Sequence, residues 1–439
     1  MTVERGGAIL SARVWLVVIL AATSASPAIA QVDERLDIET QIPQGYDRGR
    51  NVSVRQAPLP DYNPLGIRLG SFYFYPRLQA GAGATSNTYL SSENEKAAPF
   101  ITARAYGRLA SGWQRHQLTL TGSVDRVDYL GESRRNERTW DASARGLVEL
   151  GSRFEIEANL QASREVESLF SGEVNDEVAA LSRYRRNFGS LQATYTQSRV
   201  RVFVLGDYAD LSFDDVPLSS GNVIDQSDRD RSIARITGQI EYARSPALAL
   251  FAQIGAADTN YDNDLFSGLP NIDSKAIRVV GGVNFDISGK MRGSVGVGYG
   301  IKDFDADIYD TVRGVSVDSR VEFFPSRLFT VTAEAERSIE DSTLRRRDPF
   351  WRTQFALTGD YALKQNLLLT STVRYSRQDF TESDVTADTY GASIGARYLG
   401  SRRASIEGAL SYRYRKSDDA AFQRSVNEGR FTVGFQYQI

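Results

Sequence analysis

No cysteine occurs in the chain, and His116 is its only histidine. The first absence excludes disulfides, a thiol-linked lipid anchor and cysteine-ligated metals. The two together remove most transition-metal sites and most hydrolytic machinery, because a general base beside a nucleophile would have to rest on His116 alone. That residue follows Arg115 just past the short turn Ser111–Trp113 and reads as a solvated rim group, so no enzyme activity, metal or cofactor is expected. The chain beyond its N-terminus also lacks any apolar run of about 20 residues, the length a helical membrane span requires. An excess of positive charge is missing too: 52 basic residues stand against 55 acidic ones, a formal net charge of -3. That balance speaks against a nucleic-acid partner.

The N-terminus does carry a targeting pattern. Arg5 and Arg13 precede the apolar run Val14–Ala22 and the small-residue stretch ending at Ala30, which reads as a secretory signal peptide over residues 1–30. Residues 31–70 include Pro43, Pro58, Pro60 and Pro64 and have no sustained period, so they are expected to form an extended periplasmic segment, with a lumen plug as the alternative.

From about residue 71 onward the chain alternates. In the segment Arg153–Ser163, Phe154, Ile156, Ala158, Leu160 and Ala162 share one parity, while charged and amide side chains share the other. A two-residue period with one apolar and one wet face marks a β-strand. The pattern predicts eighteen strands, from one at about 71–85 through others such as 114–129 and 390–399 to a last one at 429–439. Short connections such as Gly151–Ser152 and Ser288–Lys290 alternate with long ones, as in a membrane barrel with short periplasmic turns and long outer loops.

Aromatics gather at the expected strand ends. Phe72, Phe74, Phe154, Phe323, Phe329, Tyr361 and Tyr398 lie on the turn side, and Tyr129, Trp140, Tyr261, Phe304, Trp351, Phe380 and Tyr390 on the loop side, as two girdles. Phe431, Val433, Phe435, Tyr437 and Ile439 form the apolar face of the terminal strand. An open sheet edge has no place in hydrocarbon, so this strand is expected to pair with the first, near Phe72–Ala82, and to act as the membrane-insertion signal. The expected class is thus an all-β, closed antiparallel transmembrane barrel over residues 71–439, integral to the outer membrane of a Gram-negative cell.

The stretches Gly70–Leu78, Ser86–Leu90, Pro99–Leu109 and Val124–Leu130 resemble the putative beta-barrel porin 2 family of outer-membrane proteins. The resemblance implies a pore-forming barrel, with several family members associated with exopolysaccharide or capsule export, and it carries over no catalytic residue. It implies as partners outer-membrane lipid and lipopolysaccharide, the barrel assembly machinery and a periplasmic polysaccharide-export protein.

On the wet parity, the expected pore-lining residues are Arg104, Arg145, Glu149, Arg153, Glu155, Glu157, Arg201, Arg235, Arg278, Arg292, Arg320, Glu334, Arg352, Arg374, Arg397 and Arg413. Basic residues outnumber acids on that face as read from the alternation, which predicts an anion-favouring wall, while acids such as Asp225, Asp228 and Asp307 concentrate in outer loops. The glycines of Gly293–Gly300 share the wet parity and are expected to leave wall without side chains, not to bind phosphate. The expected function is a passive duct for polysaccharide export, with a diffusion porin for small, anionic solutes as the alternative.

Overall fold

In hydrocarbon every backbone N–H and C=O must find a partner within the protein, and a sheet achieves this only by closing. In this computed structural model, which describes residues 52–168, 170, 181–217, 223–287, 289–342, 349–383, 385–418 and 425–439, it does so with eighteen strands. The expected signal peptide, residues 1–30, lies outside the described residues.

The strands are β1 (Phe72–Thr85), β2 (Ala98–Ser111), β3 (Gln117–Tyr129), β4 (Glu137–Leu150), β5 (Phe154–Val166) and β6 (Arg183–Gln197). They continue as β7 (Val200–Phe213), β8 (Arg231–Ser245), β9 (Leu248–Tyr261), β10 (Ser274–Ile287), β11 (Met291–Phe304) and β12 (Val312–Ser326). The set ends with β13 (Phe329–Glu340), β14 (Phe350–Lys364), β15 (Leu367–Phe380), β16 (Thr386–Leu399), β17 (Ala404–Ser417) and β18 (Val426–Gln438). Each pairs antiparallel with its sequence neighbour, and β18 returns to β1. The turns at one rim are tight. Gly151 takes a left-handed φ of +72°, which glycine adopts without strain, and Ser198 is forced to +52° in the two-residue link between β6 and β7.

The closing register runs from Arg77 opposite Gln438 to Thr85 opposite Arg430, so Leu78, Ala80, Ala82 and Ala84 face Tyr437, Phe435, Val433 and Phe431. This is a few residues further along β1 than the segment near Phe72 that the alternation suggested. Beyond this register, the Ile439 N–H donates to the Pro76 carbonyl (3.3 Å). The remaining start of β1 is covered differently: Ile67–Leu69 folds back as a short hairpin strand on Phe72–Phe74. Both edges of the seam are thereby occupied.

Side chains sort by parity. Val124 (62% exposed), Leu160, Leu191 and Ile254 point outward to lipid, while Gln239, Gln253, Asn284 and Gln436 on the opposite parity are buried inside. The loop-side aromatics depart from expectation. Trp140 and Tyr390 do face outward, but Tyr129, Tyr261, Phe304, Trp351 and Phe380 are buried within the barrel. They pack there against other inward rings, as Tyr129 does on Phe100 (5.3 Å between centroids) and Phe380 on Phe350 (5.0 Å). The outward aromatics at this height include Tyr208, Tyr299, Phe355 and Tyr412.

Three strand starts differ from expectation by three residues or more: Gln117 in place of 114, Thr386 in place of 390 and Val426 in place of 429. The last two begin above the lipid band, where outward positions such as Asp388 and Asn427 are polar and the apolar alternation is lost. At the turn side Trp113 is drawn onto Phe72 (5.5 Å) and stays outside β3.

Deleting Arg430–Ile439 removes the ladders to both β1 and β17 and leaves two edges open in lipid. The expected outcome is protein that reaches the periplasm but neither fractionates with the outer membrane nor shows heat-modifiable migration. Normal insertion after that deletion would contradict the closure role of β18.

Candidate functional site: the barrel lumen

The inner face is partly apolar and partly charged. On β7 to β10 apolar side chains are concentrated: Phe203, Leu205, Leu211, Ile233, Phe251 and Val280 are buried on the parity that the sequence read as wet, interspersed with charged groups such as Asp207, Arg235 and Glu241. The glycine-rich stretch of β11 explains how such residues fit. A Cβ on Gly282 would come within 2.4 Å of the Phe251 ring, and one on Gly298 within 2.7 Å of the Val280 side chain. Absent side chains on β10 and β11 therefore form the bed on which side chains from neighbouring strands lie. Arg278 reaches across β11 to donate from Nε to Ser316 Oγ on β12 (3.1 Å).

The wall also carries charges all round, and many of them are paired across strands. Arg104 meets Asp125 (3.1 Å), Arg145 Glu157 (2.7 Å), Arg235 Asp207 (2.6 Å) and Arg292 Glu322 (2.5 Å). Arg320 meets Glu334 (2.6 Å), Arg352 Glu340 (2.9 Å), Arg397 Glu407 (3.0 Å) and Arg413 Glu428 (2.7 Å). Glu155, Arg201 and Arg374 share the inward parity with these pairs. Glu149 also sits inward, near the turn rim, where its backbone N–H donates to Nδ1 of His116 (3.3 Å). Arg153 is the exception, an exposed residue of the turn between β4 and β5.

The excess of basic charge read from the alternation does not survive. Asp125, Glu137, Glu165, Asp286, Glu340 and Glu428 face inward as well and bring acids level with bases on the strands. Arginines do predominate locally. Strands β15 to β18 with β1 and β2 present Arg77, Arg104, Arg108, Arg374, Arg397 and Arg413 to the inside. Arg77 and Arg108 lie over the rings of Tyr106 (5.3 Å) and Tyr75 (4.4 Å).

Among the described residues, three pieces of chain enter the lumen. The loop after β5 is anchored by Glu167, which accepts two hydrogen bonds from Arg229 (2.6 and 3.0 Å) with both side chains almost wholly buried. It then carries Phe170 to the inner faces of β17 and β18. There its ring packs with Leu90 and Val426, Arg413 stacks on it (4.0 Å), and its carbonyl accepts from Arg415 (3.0 Å).

The β13–β14 hairpin is the second piece. Pairing of β12 with β13 runs from the turn only as far as Val317 opposite Arg337. Beyond it the hairpin leaves the wall and lies against the inner face of its neighbours, with Trp351 over Gly314 and Ile339 beside Gly300. Tyr261, Ile272, Phe304 and Val312 complete this apolar cluster, and Lys302 ties the tip through Asp341 (2.5 Å).

The third piece is N-terminal. Buried Val54 donates its N–H to Thr330 Oγ1 (3.0 Å), Arg55 pairs with Asp360 (2.8 Å), and Gln56 accepts from Arg292 (2.8 Å). These partners sit at the turn-side ends of β11, β13 and β14, so residues 53–56 lie inside the turn-side mouth.

Among the outer-loop acids, several serve local structure. Asp225 accepts from the Ser227 N–H (2.8 Å), which holds its carboxyl below the usual carboxylate range, and Asp230 accepts from the Phe213 N–H (2.6 Å).

Residues 59–438 match the family model described as putative beta-barrel porin 2. The chain belongs to this family. This porin-family barrel is an integral outer-membrane protein, with its short turns periplasmic and its long loops outside. Solved porins align along nearly their whole length. OpdK from Pseudomonas aeruginosa is 10% identical, with 83% of this chain and 99% of that one covered and a TM-score of 0.43. A BenF-like porin from Pseudomonas fluorescens Pf-5 is 10% identical, with 84% and 100% covered and a TM-score of 0.45. OccK2 (OpdF) from P. aeruginosa is 9% identical, with 84% and 99% covered and a TM-score of 0.46. No curated protein matches the chain in sequence.

The N-terminal strap is weakly held. Its arginine is half exposed, so that pair contributes at most about 1 kcal/mol. Removing residues 52–57, or combining Arg55→Ala with Asp360→Ala, is expected to raise single-channel conductance in a planar bilayer and leave heat-modifiability unchanged. Unaltered conductance in the deletion would show that the segment does not obstruct the path.

Proposed function

We propose that this barrel is a passive diffusion porin for small solutes, with a preference for anions. The observation that carries the reading is the division of the lumen by three inward elements, around Phe170, Trp351 and Arg55. Eighteen strands enclose more space than their own side chains fill. A small solute needs only the gaps between the inward elements, whereas a polysaccharide chain needs the loop, the hairpin and the strap displaced together. Export of polysaccharide is the second reading, and it requires a partner that moves them.

The anion preference draws support from where charge sits, since totals on the wall are balanced. Paired guanidiniums still direct N–H groups into the lumen, and β15 to β18 with β1 and β2 group several of them on one side. A narrow path through low-dielectric protein focuses such a field.

Two measurements test the proposal. Proteoliposomes should admit monosaccharide-sized carboxylates faster than neutral sugars of the same size, and should exclude oligosaccharides. Under a salt gradient the reversal potential should indicate anion preference, and replacing Arg77, Arg108, Arg374 and Arg413 by Gln should lower the anion-to-cation permeability ratio by about two-fold or more. Cation preference in the wild type, or an unchanged ratio in the variant, would overturn the anion reading. Passage of polymer without passage of small solutes would overturn the porin reading in favour of export.

A further inference from the structure

Near the outer rim the lipid-facing side of the barrel carries charge, arranged differently in different sectors. On β9 to β11, Lys275 lies directly between Asp258 and Asp303 in the ladder, and on β15 to β17, Asp388 lies between Arg377 and Lys416. Opposite charges thus neighbour each other there. On β3 to β6 the order is broken: Arg126 stands directly opposite Arg138, and Arg164 directly opposite Arg185. All four share the parity of the lipid-exposed residues Val124, Trp140, Leu160 and Leu191 on the same strands. Like charges directly opposite each other on one face destabilise a strand pair unless something of opposite sign intervenes.

The protein supplies part of that. Arg126 pairs with Asp128 (2.5 Å), and Arg164 with Asp214 at the start of the loop after β7. Arg138 and Arg185 are exposed, and among the described residues neither has a carboxylate partner. Trp140 lies in the middle of the group, in register with Val124 and with Arg164. An indole facing lipid at a strand end marks the level of the headgroups. Arg164 sits at that level, and Arg138 two residues above it on the outer side.

We propose that Arg126, Arg138, Arg164 and Arg185 form a binding site for the phosphate groups of lipopolysaccharide, the phosphorylated glycolipid of the outer leaflet, with Trp140 at the boundary between headgroup and acyl chains. Several observations favour a lipid over a soluble anion. The guanidiniums lie on the outside of the wall, on the parity whose lower positions are lipid-exposed Leu160 and Leu191, and at the height of an outward aromatic. Guanidinium groups match phosphate oxygens with forked, charge-assisted hydrogen bonds. A ligand with phosphate above and acyl chains below would satisfy both parts of this surface, and would remove the repulsion between the facing arginines. The site is independent of what the lumen carries.

The test uses the full-length barrel purified in detergent and titrated with bisphosphorylated lipid A, with binding read by native mass spectrometry. Two variants probe the site: Arg138→Gln with Arg185→Gln, which removes no ion pair seen among the described residues, and the replacement of all four arginines by Gln. A control replaces Lys275, Lys416 and Arg313, which faces outward on β12 opposite Ile301, by Gln, and heat-modifiable migration verifies the barrel in every case. The expected result is at least three-fold weaker binding in the double variant and at least ten-fold weaker in the quadruple one, with the control within two-fold of wild type. Enzymatically dephosphorylated lipid A should bind wild type at least ten-fold more weakly, and millimolar inorganic phosphate should compete only partly. Equal binding of the dephosphorylated lipid, equal loss in the control, undiminished binding in the double variant or complete displacement by inorganic phosphate would each overturn the assignment.

Discussion

The constraint on which the rest depends is the satisfaction of backbone hydrogen bonds where no water is available. A transmembrane sheet with a free edge would leave a row of N–H and C=O groups in hydrocarbon, at several kcal/mol for each unsatisfied group. That requirement makes the last residues of the chain a strand, and it fixes their partner. It also accounts for the return of Ile67–Leu69 along the beginning of β1, which covers ladder positions that β18 is too short to reach. The even strand number follows from the same source when both ends of the sheet lie at the periplasmic rim.

Closure creates a second problem, because a wall of this size encloses more volume than its inward side chains can occupy. The sequence meets it in two ways. Glycines on β10 and β11 let rings and long side chains from adjacent strands lie flat on the wall, while Phe170, Trp351 and Val54 bring apolar groups from segments off the membrane-band ladder. Cross-strand ion pairs hold the remainder. Such pairs contribute only a few tenths to about 1 kcal/mol each where they are solvated, so their effect lies less in stability than in fixing where each guanidinium points. Exceptions include the Arg229–Glu167 and Lys302–Asp341 pairs, with both members nearly buried. Breaking either would strand a charge in protein, and these two hold the base of the inward loop and the loop-side end of the hairpin.

Much of this was legible in the sequence for a physical reason. A strand between lipid and a wet interior has to alternate, so the strand number, the side that residues within the lipid band face and the closing partner can be read from parity. The inward placement of Arg104, Arg145, Arg278, Arg320 and Arg374 came from that alternation. What parity could not carry was the third dimension of the lumen. Nothing local distinguishes Phe170 or Trp351 from an aromatic at the membrane rim, since their burial depends on strands far away in the chain. The charge balance was misread for a related reason. Acids such as Asp125 and Glu428 lie on stretches where the opposite parity is also polar, as with Arg126 and Asn427, so their facing was hidden. Arg153 was assigned by extending the period of β5 one residue too far, into a turn.

Four of the misplaced loop-side aromatics, Tyr129, Tyr261, Phe304 and Phe380, share one cause, whereas Trp351 is carried inward by its hairpin. Within the bilayer, outward means apolar and inward means wet. Above it the strands continue, but the medium outside becomes polar while the interior fills with loops. The pattern therefore inverts along a single strand without any change in geometry. On β6 and β7, Leu191 and Val204 face out lower down, whereas Tyr184, Leu211 and Phe213 face in at the top, beside outward Arg185 and Asp210. The same reversal places Phe304 inside next to outward Asp303, and Phe380 inside next to outward Asp379. A residue scored only by its distance from the strand end looks like part of a girdle; scored by the phase of the alternation around it, it declares itself internal. The point at which the phase reverses marks the height at which hydrocarbon gives way to headgroups, and on β3 to β6 that point coincides with the opposed arginines around Trp140.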